Sequence, residues 1–299
     1  MAVFASCKDF NAADYNNVVL LETIGRVALV TFNRGAAMNT FNGDLCAGFA
    51  KATELVEDDD DVACMVVTGS GRAFSAGGDL NAFASADAPA KEGQAARKKL
   101  HVPTQTHVRY LRANMRGMSQ RLREMDKVTF AAVNGACAGA GFSLACACDL
   151  RYCSEKAVFA TAFVNAGLSG DFGGTWTLPR IVGPAKAREL YLLSEKFRAP
   201  EALAMGLVSK VLPHGELVDA VVRIAAKAAA APPLALRRIK QNLNDADRIS
   251  WPEALDNEAD RHSRLYYSAD HLEAAKAFTQ KREGAFSTPR TEPWQQSKL

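Results

Sequence analysis

The sequence predicts an α/β protein that ends in a region of helices, and three observations carry that prediction. Over residues 18–68 the pattern runs strand, strand, amphipathic helix, strand. Over residues 130–150 a short apolar β run stops at Asn134-Gly135, and a glycine-rich turn then opens an apolar helix of mostly small side chains. From Glu216 onward helical periodicity dominates.

Taken in order, residues 1–16 read as a loose arm. Residues 18–22 and 27–32 form two strands joined by a turn around Ile24-Gly25-Arg26. Residues 43–58 form a helix with Leu45, Phe49, Ala52, Leu55 and Val56 on its inner face, and the acidic run 58–61 reads as a solvated turn. Residues 63–68 form a buried strand. A polar stretch over 84–106 carries Lys91, Arg97, Lys98 and Lys99, and loops of that length are usually functional or disordered. A helix over 107–125 leads to the strand at 130–133 and the helix at 142–148; short strands follow at 150–153 and 158–162. Residues 165–174 form a loop. Helices are expected at 184–193 and 200–205, with a strand or extended hinge at 207–212. Pro232-Pro233 starts a further helix, Ser250-Trp251-Pro252-Glu253 is a capping-box start for the next, and 270–280 is the last. The tail over 287–299 reads as frayed. The organisation expected is an N-terminal arm (1–16), an α/β core (17–230) and a C-terminal helical oligomerisation region (231–299).

Composition narrows the partners. A net charge of +3 over 299 residues is too small to favour nucleic acid or an anionic membrane. No apolar run reaches membrane-spanning length, and the N-terminus lacks a basic start followed by a signal-length apolar core. The seven cysteines lie mostly in apolar surroundings, as reduced core thiols do, and Cys146-Ala147-Cys148 has no second metal-type pair. The five histidines show no metal spacing. A cytoplasmic protein without a metal follows.

Three stretches are site-like. Gly69-Ser70-Gly71-Arg72-Ala73-Phe74-Ser75-Ala76-Gly77-Gly78-Asp79-Leu80 begins as G-x-G, but Phe74 stands where a dinucleotide fingerprint needs a third glycine, and no P-loop lysine follows. It offers instead a bare backbone N–H at Ala76. Gly139 and Gly141 flank Ala140 at a helix start, where N–H groups and the positive end of the macrodipole are free. The third stretch, Asn165 to Gly174, holds one carboxylate, Asp171, among glycines and aromatic residues; it reads either as an acid/base or as a cap for the turn before Gly173-Gly174.

Phe74-Ser75-Ala76-Gly77-Gly78-Asp79-Leu80, paired with Ala132-Val133-Asn134-Gly135-x-x-Ala138-Gly139-Ala140-Gly141, resembles the enoyl-CoA hydratase/isomerase (crotonase) superfamily. Gly173-Gly174-Thr175 with Leu178-Pro179-Arg180, and Ala204-Met205-Gly206-Leu207-Val208, add to the match, which runs from about Val18 to Phe286. The resemblance implies a ββα superhelical spiral core, assembly as a homotrimer or hexamer, and a coenzyme A thioester as ligand. It implies no cofactor beyond the CoA of the substrate. It places an oxyanion hole at the N–H groups of Ala76 and Ala140, suited to the charge that builds on a thioester oxygen. Arg72, Ala73, Phe74, Gly77, Gly78, Asp79, Leu80 and Gly139 are the expected substrate contacts around it.

Hydratases of this superfamily carry two glutamates, and the matching positions here are Ser143 and Phe163. Both acids are missing, although adding water needs an oriented water and a delivered proton. Asp171 remains, and some superfamily members that shift double bonds carry an aspartate in this loop. Phe163, Phe172 and Trp176 are expected to surround it with apolar surface and raise its pKa. The expected activity is therefore a 3-enoyl-CoA to 2-enoyl-CoA isomerase; the alternatives are a hydratase with its acids elsewhere and a non-catalytic acyl-CoA binder. Related dehalogenases use a loop aspartate as nucleophile, but no halide pocket is evident here. Gly141-Phe142-Ser143-Leu144-Ala145 approaches a nucleophile elbow with Asp171 and His214 following, yet the strand ends too far upstream, so Ser143 is expected to line the acyl pocket or to bond to water. Lys281 and Arg282 are candidates for the CoA phosphates, as are the basic residues of 84–106.

Overall fold

The computed structural model describes residues 6–79 and 104–286. Leu80, Lys91, Arg97, Lys98, Lys99, His101 and the tail over 287–299 lie outside the described residues. An antiparallel hairpin, β1 (Val19–Ile24) and β2 (Val27–Phe32), precedes helix α1 (Gly43–Asp58). A repeating unit then sets the architecture: a strand in a large sheet, a short strand in a small sheet, then helix. Its copies are β3 (Cys64–Gly69) with β4 (Ala73–Ser75) and α2 (Thr104–Met115); β5 (Val128–Val133) with β6 (Ala136–Ala138) and α3 (Ala140–Ala147); and β7 (Leu150–Ser154) with β8 (Val158–Ala160), α4 (Gly174–Val182) and α5 (Pro184–Leu193). After β9 (Phe197–Arg198), α6 (Ala199–Ala204) and β10 (Lys210–Leu212) come α7 (Leu217–Ala229), α8 (Pro233–Ala246), α9 (Trp251–Tyr266) and α10 (Ala269–Gln280). The six-stranded sheet has order β1-β2-β3-β5-β7-β10 and the four-stranded sheet β4-β6-β8-β9, so the ββα units wind as a spiral.

Strand alternation explains how the large sheet is covered on both faces. Ala28, Val30, Met65, Val67, Ala131 and Val133 face the main core with α1, α2 and α3, where Phe49, Leu122 and Leu144 are buried. The intervening Val27, Cys64, Val66, Phe130 and Ala132 face Val221 and Ala225 of α7. The helix over 43–58 has the predicted bounds because Asn42 caps it, its side chain accepting from Leu45 N–H at 3.0 Å, and Leu45, Phe49, Ala52 and Val56 form the buried stripe. All seven cysteines are free and buried, as expected of core thiols.

Several expectations are corrected. The described part of the N-terminal segment is docked, not loose. Ser6 Oγ and Cys7 N–H donate to Asp59 Oδ2 at 2.9 and 2.8 Å, and Cys7 is buried. Asp59 is accordingly no solvated turn residue. Burial pushes its carboxyl pKa up, but hydrogen bonds from Cys7, Ser6 and Asp61 outweigh this and hold it below the usual range. Of the small sheet, β8 lies within the strand expected over 158–162, while β4, β6 and β9 escaped the sequence because strands of two or three residues carry no periodicity. Helix α4 escaped it because Pro179, a helix breaker by type, lies inside it. The helix expected over 107–125 is continuous from 104 to 124 but passes through a π turn at Arg116–Gln120.

The C-terminal helices are tied to the core by Lys240 of α8. Its buried Nζ donates to the carbonyls of Leu122 (3.0 Å) and Lys127 (2.8 Å) and pairs with Asp149 Oδ2 at 2.8 Å. Asp149 also accepts from Thr129 N–H at 2.7 Å, so one ammonium joins α8 to both central strands. Removing one partner of a buried pair strands the other. Lys240→Ala is expected to lower unfolding stability by roughly 3 kcal/mol, measured by urea titration; a change below about 0.5 kcal/mol would show the tie to be incidental.

Candidate active site

Two backbone turns meet at the centre of the molecule. The first follows β4 and is held from below by asparagines. Asn39, buried with φ +53°, donates from Nδ2 to the carbonyls of Ala73 (2.7 Å) and Ser70 (3.0 Å), and Asn134 Nδ2 donates to those of Gly71 (2.9 Å) and Ala73 (3.2 Å). Ser75 Oγ donates to Asn39 O at 2.8 Å and accepts from Gly77 N–H at 3.1 Å. The second turn leads from β6 into α3. Gly77 has φ +88°, and a Cβ there would lie 2.8 Å from Ala138 O and 3.0 Å from Ala140 N. Glycine is thus required on two counts, conformation and approach. Where α3 begins, a Cβ on Gly141 would meet Ser75 at 2.6 Å.

The donors in these turns differ from the expectation. Ala76 N–H already donates to Met38 O at 3.0 Å, so Ala76 cannot hold a ligand oxygen and its assignment is corrected. Two residues on, Gly78 is exposed, and neither its N–H nor that of Ala140 has an acceptor among the described residues. Ala140 is the first residue of α3, where the helix leaves its N–H unused. The pair available is Gly78 and Ala140.

Beside them lies a polar cluster. Asp171 sits in a loop forced into tight turns by Gly170 (φ +118°), Phe172 (φ +47°) and Gly173 (φ +77°). Its Oδ1 is buried and has no hydrogen-bond partner among the described residues, and no side chain caps α4, so the turn-cap reading of Asp171 is not the one the structure adopts. Burial pushes its carboxyl pKa up to about 6. Its charge is felt by two neighbours: Cys46, pushed up to about 11 mainly by burial, and Tyr191, raised mainly by burial. Tyr191, on α5, stacks on buried Phe163 with ring centroids 6.1 Å apart. Ser143, fully buried on α3, faces the same space, since a Cβ on Gly174 would overlap both the Ser143 and the Tyr191 hydroxyl.

Of the expected site residues, Gly77, Gly78, Gly139, Ala140, Ser143, Phe163, Asp171 and Phe172 gather here. Phe172 is buried edge-on to Phe41, 5.5 Å between centroids. Trp176 packs on two cations, 3.7 Å from the Arg180 guanidinium and 4.5 Å from that of Arg123, in the wall of an open cavity of about 470 Å³ that Phe172 and Gly173 also line. Ala73 and Phe74 are buried in β4, with Phe74 packed on Phe32 at 5.6 Å, so their side chains serve the core. Arg72 reaches Met38 Sδ at 2.9 Å, and Asp79 pairs with Arg34 at 3.4 Å. Lys281 is an exposed left-handed cap on α10. His214 Nδ1 pairs with Ser154 Oγ at 3.0 Å, which removes it from any triad with Ser143. No group of metal-binding side chains is present among the described residues, and none of their helices is long and apolar enough to cross a membrane.

Sequence reasoning missed Tyr191. It lies in an amphipathic helix twenty residues after Asp171 in the chain, with nothing local to mark it; only the small residue at Gly174 hints that hydroxyls must fit there.

Residues 22–289 match the enoyl-CoA hydratase/isomerase family. A 1,2-epoxyphenylacetyl-CoA isomerase of Escherichia coli is 34% identical over 87% of this chain and 95% of its own. A crotonyl-CoA hydratase of Syntrophomonas wolfei is 32% identical over 91% and 98%. Among solved structures, an enoyl-CoA hydratase described as putative from Streptomyces coelicolor superposes with a TM-score of 0.83 at 28% identity, covering 96% of this chain and 98% of that one. The chain is an acyl-CoA enzyme of the enoyl-CoA hydratase/isomerase family, with the crotonase fold.

Two expectations follow from this geometry. Gly174→Ala should destabilise the fold by about 1–3 kcal/mol through overpacking against Ser143 and Tyr191, read from thermal unfolding. For Asp171, a folded pKa of about 6 against an ordinary 3.8 means that folding favours the protonated form. Its ionisation therefore costs stability as pH rises from 4 through 6. Asp171→Asn should gain on the parent over that window by up to about 3 kcal/mol. A pH-independent difference would contradict the desolvated carboxyl.

Proposed function

We propose that this enzyme shifts a double bond in an acyl-CoA, converting a 3-enoyl-CoA to a 2-enoyl-CoA, with Asp171 as the single acid/base. The observation that carries the reading is the buried, unpartnered Asp171 Oδ1 at the site where Ser143 and Phe163 replace the glutamates of hydratases. Migration needs one base. Ionised Asp171 removes a proton from C2, charge develops on the thioester oxygen, and the same carboxyl returns the proton to C4.

The charge on the oxygen falls to the N–H groups of Gly78 and Ala140. Both are fixed by backbone packing before substrate arrives, and loss of one such donor typically costs roughly 3 kcal/mol of transition-state stabilisation. A carboxyl near 6 remains mostly ionised at neutral pH yet is a stronger base than an ordinary aspartate. Hydratases among the relatives keep hydration as the competing reading. Arg72, Asp79 and Lys281 are assigned to the CoA side of the site. In the same reading the chain is a cytoplasmic homotrimer or hexamer, supported by exposed apolar side chains on the C-terminal helices: Ile239 (54%), Leu243 (67%) and Trp251 (75%).

The test is ultraviolet absorbance of the conjugated thioester with two substrates in parallel. Absorbance should appear from a 3-enoyl-CoA and fall by a factor of at least about a hundred in Asp171→Asn. Loss of absorbance from a 2-enoyl-CoA instead would establish hydration and sink the isomerase reading. With an essential base, kcat/KM should rise tenfold per pH unit below about 6 and level off above it. For assembly, light scattering of the purified chain should give three or six copies; a monomer would refute it.

A further inference from the structure

Contact between the two turns sets where Gly78 lies, but not which way its N–H faces. The N–H of Gly78 and the carbonyl of Gly77 belong to one planar trans peptide and point in opposite directions. With glycine on both sides and φ +88° at Gly77, local sterics leave that plane free to turn over. The corresponding peptide at the other donor is held by its own helix, because Gly139 O accepts from Ser143 N–H at 3.0 Å. At Gly78 the hold comes from a distant loop. Phe41 N–H donates to Gly77 O at 2.7 Å, so the Gly78 N–H is aimed away from Phe41.

Phe41 N–H in turn shares its peptide with the carbonyl of Thr40, and that carbonyl accepts from Arg34 Nη1. A guanidinium, two peptide groups and the Gly78 N–H therefore form one hydrogen-bonded line with its dipoles head to tail. A cation at the start of such a line strengthens each bond after it, by roughly 10–30 % per bond. Further contacts fix the line in place. Arg34 N–H donates to Asn39 Oδ1 at 2.8 Å, and Arg34 O accepts from Asn39 N–H at 3.0 Å. Arg34 Nη2 pairs with Asp79 Oδ2, on the residue after Gly78, at 3.4 Å, and Thr40 Oγ1 donates to the same oxygen at 3.3 Å. Asp79 thus takes one arm of the guanidinium and the Thr40 carbonyl the other, so the pairing leaves the directed bond intact. The Phe41 ring is wedged between Phe32 and Phe172, with centroids 5.9 and 5.5 Å away.

We propose that Arg34 is a positioning residue for the oxyanion donor, orienting and strengthening the Gly78 N–H through the peptide groups 40–41 and 77–78. The proposal rests on Gly78 and Ala140 as the donors to a thioester oxygen, and it holds for isomerisation and hydration alike.

The test is the infrared carbonyl stretch of enzyme-bound hexanoyl-CoA, isotope-labelled at its thioester carbonyl; this saturated thioester reports donor strength without turnover. In the parent the band should lie below its position in water. Arg34→Met should give back roughly 10–30 % of that displacement. It should also lower kcat on the enoyl-CoA substrate at least about fivefold while KM stays within about threefold. Arg34→Lys, which keeps a cation for the Thr40 carbonyl, should restore most of both. Thr40→Val removes the hydroxyl bonded to Asp79 and Arg34 but leaves the line of peptides, so its band should match the parent's. A parent-like band in Arg34→Met, or an equal loss in Thr40→Val, would overturn the role of Arg34 and leave the donor pair standing. A parent band unmoved from water would instead overturn Gly78 and Ala140 as donors, and this inference with them.

Discussion

The site depends on one steric constraint: two turns of bare backbone must touch. Gly77 lies against Ala138 and Ala140, and Gly141 against Ser75, with no room for an added Cβ. That contact places Gly78 and Ala140 N–H groups near each other without any side chain having to be positioned. It also accounts for the composition of α3, whose small buried side chains let the helix approach β4. Asn39 and Asn134 complete the arrangement by donating to the carbonyls of Ser70, Gly71 and Ala73, where the chain passes from the large sheet to the small one. The N–H groups of Gly78 and Ala140 stay without an acceptor among the described residues.

Against this rigid backbone, the polar cluster of Asp171, Ser143 and Tyr191 is held at a cost to stability. Desolvation, with no compensating donor, raises the Asp171 carboxyl. The loop around it bends through φ +47° at Phe172, a conformation unusual for an aromatic residue and held by burial of the ring against Phe41. Strain and unmatched polarity coincide in this one place, and elsewhere the fold compensates. The large sheet is covered on both faces, and Lys240 draws α8 onto the central strands.

Much was determined by the sequence alone. Periodicity settled the hairpin, α1, the large-sheet strands and most C-terminal helices, because each buries one face over enough residues to repeat. The glycine-rich turns and the lone Asp171 were legible for a similar reason: glycine between small residues, and one acid among apolar neighbours, are local departures from ordinary composition.

What only the tertiary structure decided is which groups are free. Ala76 and Gly78 are equally bare in the sequence, and the difference is that Met38, from a distant loop, takes the Ala76 N–H. Trp176 and Phe172 both neighbour Asp171 in the chain, yet α4 turns Trp176 to Arg123 and Arg180. Tyr191 reaches the site through the packing of α5, a contact between residues too far apart to leave a local pattern. Propensity and periodicity act over a few residues, whereas hydrogen-bond satisfaction is a property of the closed fold. The sequence therefore determined where chemistry could occur, and the packing decided which atoms were left to perform it.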